Sequence, residues 1–275
     1  MTLISRRAVL HGVGGASAFS AVAAALPGAL FAADEAASES DILLSIVYPN
    51  APKAEFDAKR YEGKHIPLLK SLYGDSIERV ELRVPRKISA PGRRAGISNV
   101  PSQPAPMGPP PAVLASASIW IRNLKDFAAR SLTVNAQILE DLKQVTSSEP
   151  IVQYDRVVSL LGDDSSAIQV DGQVFSTYFP TREGATFDAK YYGEKVIPLM
   201  IKLYGAKSIR RVQYTLGVKQ GEAAPALTAA AHFYIRDRAA WDAAGMQAYP
   251  QLAAEGPHYT TIRPWVADQE VVAVA

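Results

Sequence analysis

The block EFDAKRYEGKHIPLLKSLYG, starting at Glu55, returns as TFDAKYYGEKVIPLMIKLYG, starting at Thr186. Over residues 54–74 and 185–205, 13 of 21 positions are identical at a constant offset of 131. Such a repeat restricts the fold strongly, because two like sequences make two like units that pack on each other. The match continues outside the block. IVYP, ending at Pro49, corresponds to TYFP, ending at Pro180, and SIERV from Ser76 corresponds to SIRRV from Ser208. SIWIRN from Ser118 corresponds to HFYIRD from His232, at an offset of 114. From the 132 that relates Ser76 to Ser208, the offset has dropped by 18, so the first copy carries an insertion. That insertion is the Pro-rich stretch at 88–112, which lacks apolar periodicity and reads as an extended loop.

Both copies give the same order of elements. Residues 42–48 and 173–179 are β-rich runs. A helical block follows, with Phe56, Tyr61, Leu68, Leu69 and Leu72 as its apolar positions and Gly74 as its stop. Pro67 and Pro198 should kink this helix or start a second one. Strands are expected at 77–84 and 113–121, and again at 209–216 and 227–235. Asn123 opens another helix with Asp126 in a partial capping box, and Asp237 takes the matching place. A last β-rich run ends each unit, at 151–160 and 259–267. The first unit spans 41–162 and the second 173–275, joined through the polar GDDSSAIQVDGQ.

One βαββαβ unit makes a four-stranded antiparallel sheet with helices on one face and nothing on the other. Two such sheets bury their bare faces together. The expected fold is α+β: two ferredoxin-like βαββαβ repeats forming an intrachain pseudo-dimeric α+β barrel, with one chain as the minimal folded unit.

Tyr48-Pro49, then Phe56-Asp57, Tyr61 and His65-Ile66-Pro67-Leu68 form a pattern that resembles the EthD family of dimeric α+β barrel proteins. The second copy repeats it as Phe179-Pro180, Phe187-Asp188, Tyr191-Tyr192 and Val196-Ile197-Pro198-Leu199. The resemblance covers both halves and implies a fused pair of EthD-like domains. It also implies a loose link to oxidoreductase chemistry, since the family is named for a protein required beside an oxidative system. Relatives of this barrel include polyketide cyclases, monooxygenases and haem proteins. The departure at Val196 puts any role of the histidine in doubt for the second half.

Alternation assigns faces to the strands. Ala229, Ala231, Phe233 and Ile235, like Ala117, Ile119 and Ile121, are apolar and belong under the helices. The opposite set holds His232, Tyr234, Ser118 and Trp120 and should face a cavity between the sheets. Val80, Leu82 and Val84 take the helix side, leaving Arg79, Glu81 and Arg83 facing away, with Arg211 and Gln213 matching Arg79 and Glu81. The alternative is that this strand is an edge whose polar face meets solvent. Trp120, Tyr234, Ser118, Arg79 and Arg211 are thus the candidate substrate-binding residues.

Three histidines lie beyond the first 33 residues: His65, His232 and His258. Histidine suits proton transfer near neutral pH. His65 matches the family pattern, as do Tyr48 and Tyr61, and His232 sits among aromatics on the inward face. These four are the candidate catalytic residues, with His65 and His232 expected to share one cavity system. The plainer readings are a helix-end histidine for His65 and a hydrogen-bonded core histidine for His232. His258 follows Gly256-Pro257 in an expected turn and reads as a surface residue. No close ligand spacing points to a metal. If one half keeps an active cavity and the other keeps only the fold, His65 marks the working half and Val196 the scaffold.

The formal net charge is +2, and both excess charges, Arg6 and Arg7, lie within residues 1–33. The rest is neutral, with 27 basic and 27 acidic residues, which argues against a nucleic-acid partner. SRRAVLHG followed by an Ala- and Gly-rich run to Ala33 reads as a twin-arginine export signal, cleaved near Ala32 or Ala33. A retained membrane anchor is the other reading, opposed by Pro27 and the Gly/Ala content. The expectation is a periplasmic protein with no stable anchor after cleavage. With no cysteine, disulfides, thiolate metal sites and Cys nucleophiles are excluded. The leading functional reading is binding of a small apolar or aromatic molecule, with His65 as acid/base in a proton-transfer or oxidative step. A haem-holding barrel is the second. The third is a non-catalytic periplasmic binding or accessory protein that docks a partner through the Pro-rich insertion.

Overall fold

The structure, a computed structural model, describes residues 42–86, 113–162 and 168–275. Residues 1–33, on which the reading of an export signal falls, the Pro-rich insertion at 88–112 and the middle of the linker lie outside the described residues. The first repeat runs β1 (Ile42–Pro49), α1, β2 (Ile77–Pro85), β3 (Val113–Ile121), α2 (Leu124–Leu142) and β4 (Ile151–Gly162). The second runs β5 (Gln173–Pro180), α3, β6 (Ile209–Gly217), β7 (Leu227–Ile235), α4 (Arg238–Tyr259) and β8 (Trp265–Val274). Here α1 comprises Ala58–Arg60, a π-helical turn Tyr61–His65 and Ile66–Tyr73. Likewise α3 comprises Ala189–Tyr191, the π turn Tyr192–Val196 and Ile197–Tyr204.

The eight strands close a barrel in the order β1-β3-β2-β8-β5-β7-β6-β4, every neighbour antiparallel. Each repeat supplies four adjacent strands, and the seams between repeats are β2–β8 and β4–β6. Strands β2 and β6 are therefore interior to a closed sheet, which overturns the alternative of a solvent-facing edge. Glu81, Arg83, Arg211 and Gln213 are all buried.

The alternation seen in sequence is realised on both sides of the sheet. Ile42, Leu44, Ile46 and Tyr48 of β1 join Val80 and Leu82 of β2 in a core beneath α1 and α2. Phe179, Val212, Tyr214 and Phe233 build the equivalent core beneath α3 and α4. Each buried aliphatic side chain contributes on the order of 1.5–3 kcal/mol, which holds the helices to the sheet. The lumen is different. An apolar plug of Val47, Tyr178, Leu227 and Ala267 occupies one end, and buried polar residues fill the middle.

Helix starts follow the capping chemistry. Asn123 accepts from the Asp126 amide at 2.9 Å and Asp237 from the Ala240 amide at 3.0 Å. Asp57 and Asp188 do the same for α1 and α3. Pro67 lies in the first turn after the π turn, where a missing N–H costs least. Gly74 and Gly205 end these helices at φ 55° and 80°, a backbone region that a Cβ disfavours. One element differs from expectation. The last strand begins at Trp265, because α4 continues through Pro250 and Pro257 to Tyr259. His258 is accordingly in the last turn of α4 rather than in a loop, and it is exposed.

Candidate functional site

The candidate catalytic residues divide between the two faces of the sheet. Tyr48, Tyr61 and His65 meet on the helix side of the first repeat. His232 lies in the lumen, where its Nδ1 is 2.9 Å from Ser176 Oγ. The expectation of one shared cavity for His65 and His232 is thus corrected: the sheet itself stands between them. His232 is completely enclosed, and burial, reinforced by the Arg83 charge, pushes its pKa well below the ordinary value. Ser118, Trp120, Tyr234, Arg79 and Arg211 also face the lumen, as their alternation predicts, and so lie on the opposite side of the sheet from His65.

Near the sheet, the π turn shapes the site. Its wider winding brings residues four or five apart onto one side of the helix, so Tyr61 and His65 both point inward. Their rings lie 4.6 Å apart between centroids. Tyr61 packs edge-on to Tyr48 at 6.1 Å, and Phe56 touches both, at 4.8 Å from Tyr48 and 5.5 Å from Tyr61. His65 Nδ1 is 2.8 Å from Asp141 Oδ2, and Arg60 donates to Asp141 Oδ1 at 3.1 Å. A carboxylate beside Nδ1 makes that nitrogen the donor and leaves the lone pair on Nε2. Asp141 comes from the last turn of α2, 76 residues away in sequence.

Three polar atoms here are buried without a hydrogen-bond partner: His65 Nε2, Tyr48 Oη and Tyr61 Oη. The two hydroxyls lie close enough to perturb each other's ionisation. Burial raises both phenols, Tyr61 to about 12 and Tyr48 well above its usual value, so both keep their protons at neutral pH. Burial lowers the His65 pKa, against the hydrogen bond and charge of Asp141 and with some help from Arg60. At neutral pH the site therefore offers a neutral imidazole lone pair beside two O–H donors. Buried polar groups normally find partners, and three without one in a single cluster make a receptive site.

A cleft of about 910 Å³ adjoins this cluster, lined by Phe56, Ala58, Val84, Leu114, Val145 and the 143–147 turn among others. Phe56 lies on its wall and also against Tyr48 and Tyr61. The side chain thus separates the cleft from the buried hydroxyls.

The second repeat shows what happened to the same place. Position by position, Tyr48 is replaced by Phe179, His65 by Val196, Arg60 by Tyr191, Asp141 by Glu255 and Val145 by Tyr259. Glu255 is held instead by the Tyr191 hydroxyl at 2.8 Å. Tyr259 packs on Phe179, Phe187 and Tyr192, at 6.2, 5.9 and 5.0 Å. The Tyr192 hydroxyl, unlike that of Tyr61, reaches a partner, Thr177 Oγ1 at 3.5 Å. Polar atoms have been removed or paired, and the space beside them has been filled with an aromatic ring.

Asp141 and the Val145/Tyr259 exchange escape a reading of the obvious repeat block alone. The signal for both was available. The offset of 114 that aligns β3 with β7 also aligns Asp141 with Glu255 and Val145 with Tyr259.

No protein-family model and no curated protein matches this chain. Among solved structures, an anthrone oxidase-like protein superposes with a TM-score of 0.51 at 13% identity, covering 86% of this chain and 93% of that one. An EthD-like protein from Ralstonia eutropha JMP134 is 21% identical, with a TM-score of 0.32, over 38% of this chain and 91% of that one. A Rhodococcus jostii RHA1 DypB variant in complex with heme gives 0.48 at 11% identity, over 86% and 94%. Taken with the closed eight-stranded topology, the similarity extends to the fold, a dimeric α+β barrel.

Proposed function

We propose that the first repeat binds a small apolar or aromatic molecule on the helix side of its sheet, and that His65 moves a proton at it. The observation that carries this reading is the His65 Nε2 lone pair, fixed by Asp141 and flanked by two unpartnered phenols, in a repeat whose twin has Val196 for the histidine and Phe179 for Tyr48. Nε2 would remove a proton from an activated C–H or O–H of the ligand. A phenol O–H would donate to the oxygen on which negative charge develops. Asp141 keeps the ring oriented and stabilises the imidazolium formed. Phe56 closes the way from the cleft to these groups, so a small ligand would reach them only when that side chain swings aside. Export by the twin-arginine route to the periplasm is part of this proposal and is supported by Arg6-Arg7 and the apolar run after them.

Haem does not fit this packing. His65 Nε2 is a suitable donor atom, but the imidazole, Tyr48 and Tyr61 are at most 1% exposed and in ring contact as a chain, and the cleft stops at Phe56. No step is assigned to it.

Anthrone is a suitable probe, because a carbonyl and two rings acidify its methylene and the superposed solved structure is described as anthrone oxidase-like. Deuterium uptake at that carbon in D₂O, followed by mass spectrometry, should be accelerated by the wild type. His65→Gln should reduce the acceleration about 10²-fold or more, and Asp141→Asn by a smaller factor. Uptake no faster than in buffer, or equal in wild type and His65→Gln, would reject proton transfer. Binding that persists without uptake would leave a carrier.

A further inference from the structure

On the other face of the sheet, the lumen holds a second cluster of polar and aromatic side chains. Arg79 on β2 pairs in register with Trp120 on β3, and Arg211 on β6 pairs with Tyr234 on β7. The repeat places both pairs at the same end of the barrel. There the Arg79 guanidinium lies 4.6 Å from the Trp120 ring centroid, and that of Arg211 lies 5.8 Å from the same ring and 5.9 Å from Tyr234. Arg211 is 2% exposed, yet none of Nε, Nη1 and Nη2 has a hydrogen-bond partner. The Trp120 indole N–H and both amide atoms of Gln213 are likewise buried and unpartnered.

The acceptors nearby are already engaged. Glu81 receives the Tyr234 hydroxyl at 2.9 and 3.1 Å and faces Arg83 Nε at 3.7 Å. Asp155, the other buried lumen carboxylate among the described residues, is bonded by Ser45, Gln153 and Thr215. An arginine cannot shed its proton to escape burial, and a buried charge without an acceptor is costly. The fork of Arg211 matches a planar or tetrahedral oxyanion. The Trp120 N–H and the Gln213 amide would supply further contacts, and the Trp120 and Tyr234 rings lie beside the guanidinium. Tyr234 also lines a cleft of about 300 Å³ together with Gln173, Arg210 and Arg236.

We propose that this end of the barrel binds a small oxyanion, a carboxylate or inorganic phosphate, with Arg211 as its principal ligand and Trp120 Nε1 as a supporting donor. The site is independent of the His65 site, since the sheet separates them. Thermal unfolding of the full chain in sodium phosphate, sodium benzoate and sodium chloride at matched ionic strength tests it. The wild type should gain several degrees, saturably, with phosphate or benzoate over chloride. Arg211→Met should lose that gain and melt no lower than the wild type in chloride, because an uncompensated buried charge has been removed. Trp120→Phe should keep the gain with several-fold weaker affinity. Wild type that responds to neither oxyanion beyond chloride would overturn the proposal, and so would an Arg211→Met variant that responds as the wild type does. If Arg211→Met fails to fold, the wild-type tryptophan fluorescence decides: a saturable change at one equivalent per chain supports the site, and no change overturns it.

Discussion

The surroundings of His65 set its protonation state. Burial favours the neutral ring, and Asp141 limits how far its pKa falls. The base is thus free at pH 7 and is lost by protonation only below the ordinary histidine range. Probe deuteration should accordingly rise with pH up to a midpoint under 6.5 and stay flat through neutrality, a profile that an imidazole NMR titration should reproduce. The same sign applies to stability. His65 and His232 are both lowered in the fold, so their contribution is complete above about 6.5 and is lost as pH falls toward their folded values. Asp155 acts in the opposite direction. Burial raises it from 3.8 to about 6, against the hydrogen bonds from Ser45, Gln153 and Thr215. Its contribution is complete below 3.8 and is lost as pH rises through 6. Relative to Asp155→Asn, the wild type should therefore lose about 2–3 kcal/mol between pH 4 and pH 7.5, measured by denaturant unfolding at each pH. His65, Tyr48 and Tyr61 were legible as a set because all three fall on the EthD-like pattern that runs from Tyr48-Pro49 to His65-Ile66-Pro67-Leu68. Asp141 was not, because only the crossing of α1 and α2 brings it to the ring.

The elements carry the difference between the two repeats without changing shape. Both contain the π turn, and Val196 stands in it where His65 does, so the turn belongs to the fold and does not depend on the proposed chemistry. The exchange of Val145 for Tyr259 makes this testable. The second repeat already accommodates Tyr259, so Val145→Tyr should fold with a melting temperature within a few degrees of wild type. It should also narrow the cleft beside Phe56 and reduce probe deuteration at least tenfold. The seam between repeats has its own polar fastening. Asp268 on β8 accepts from Arg86 after β2, at 3.1 Å, and from Arg238 on α4 at 2.7 and 2.9 Å. Asp268→Ala should cost roughly 1–3 kcal/mol, since a bidentate, half-buried pair exceeds a surface one. Strand positions β1 to β7 could be read closely from alternation and turn residues. The last could not, because Gly256-Pro257 reads as a turn, whereas α4 runs on through it to Tyr259.

At the scale of the whole molecule, the barrel closes within one chain, and each half covers what the other leaves bare. The repeat made this legible: one βαββαβ sheet has an open face, and a second copy is present to cover it. The lumen was legible as a set of inward polar residues, but its internal pairing was not, since Glu81 meets Tyr234 across 153 residues of sequence. Either half expressed alone should expose its sheet face and the edges of β2 and β4, or of β6 and β8, and should aggregate or self-associate in light scattering. Two soluble monomeric halves would contradict the closed barrel. The central claim is that the first repeat works and the second supports it. The chain already contains the control, because Val196 shows that the fold accepts valine at this position. His65→Val should melt within a few degrees of wild type and lose probe deuteration to the level of buffer. Deuteration retained in His65→Val, or lost only because the variant unfolds, would contradict the account.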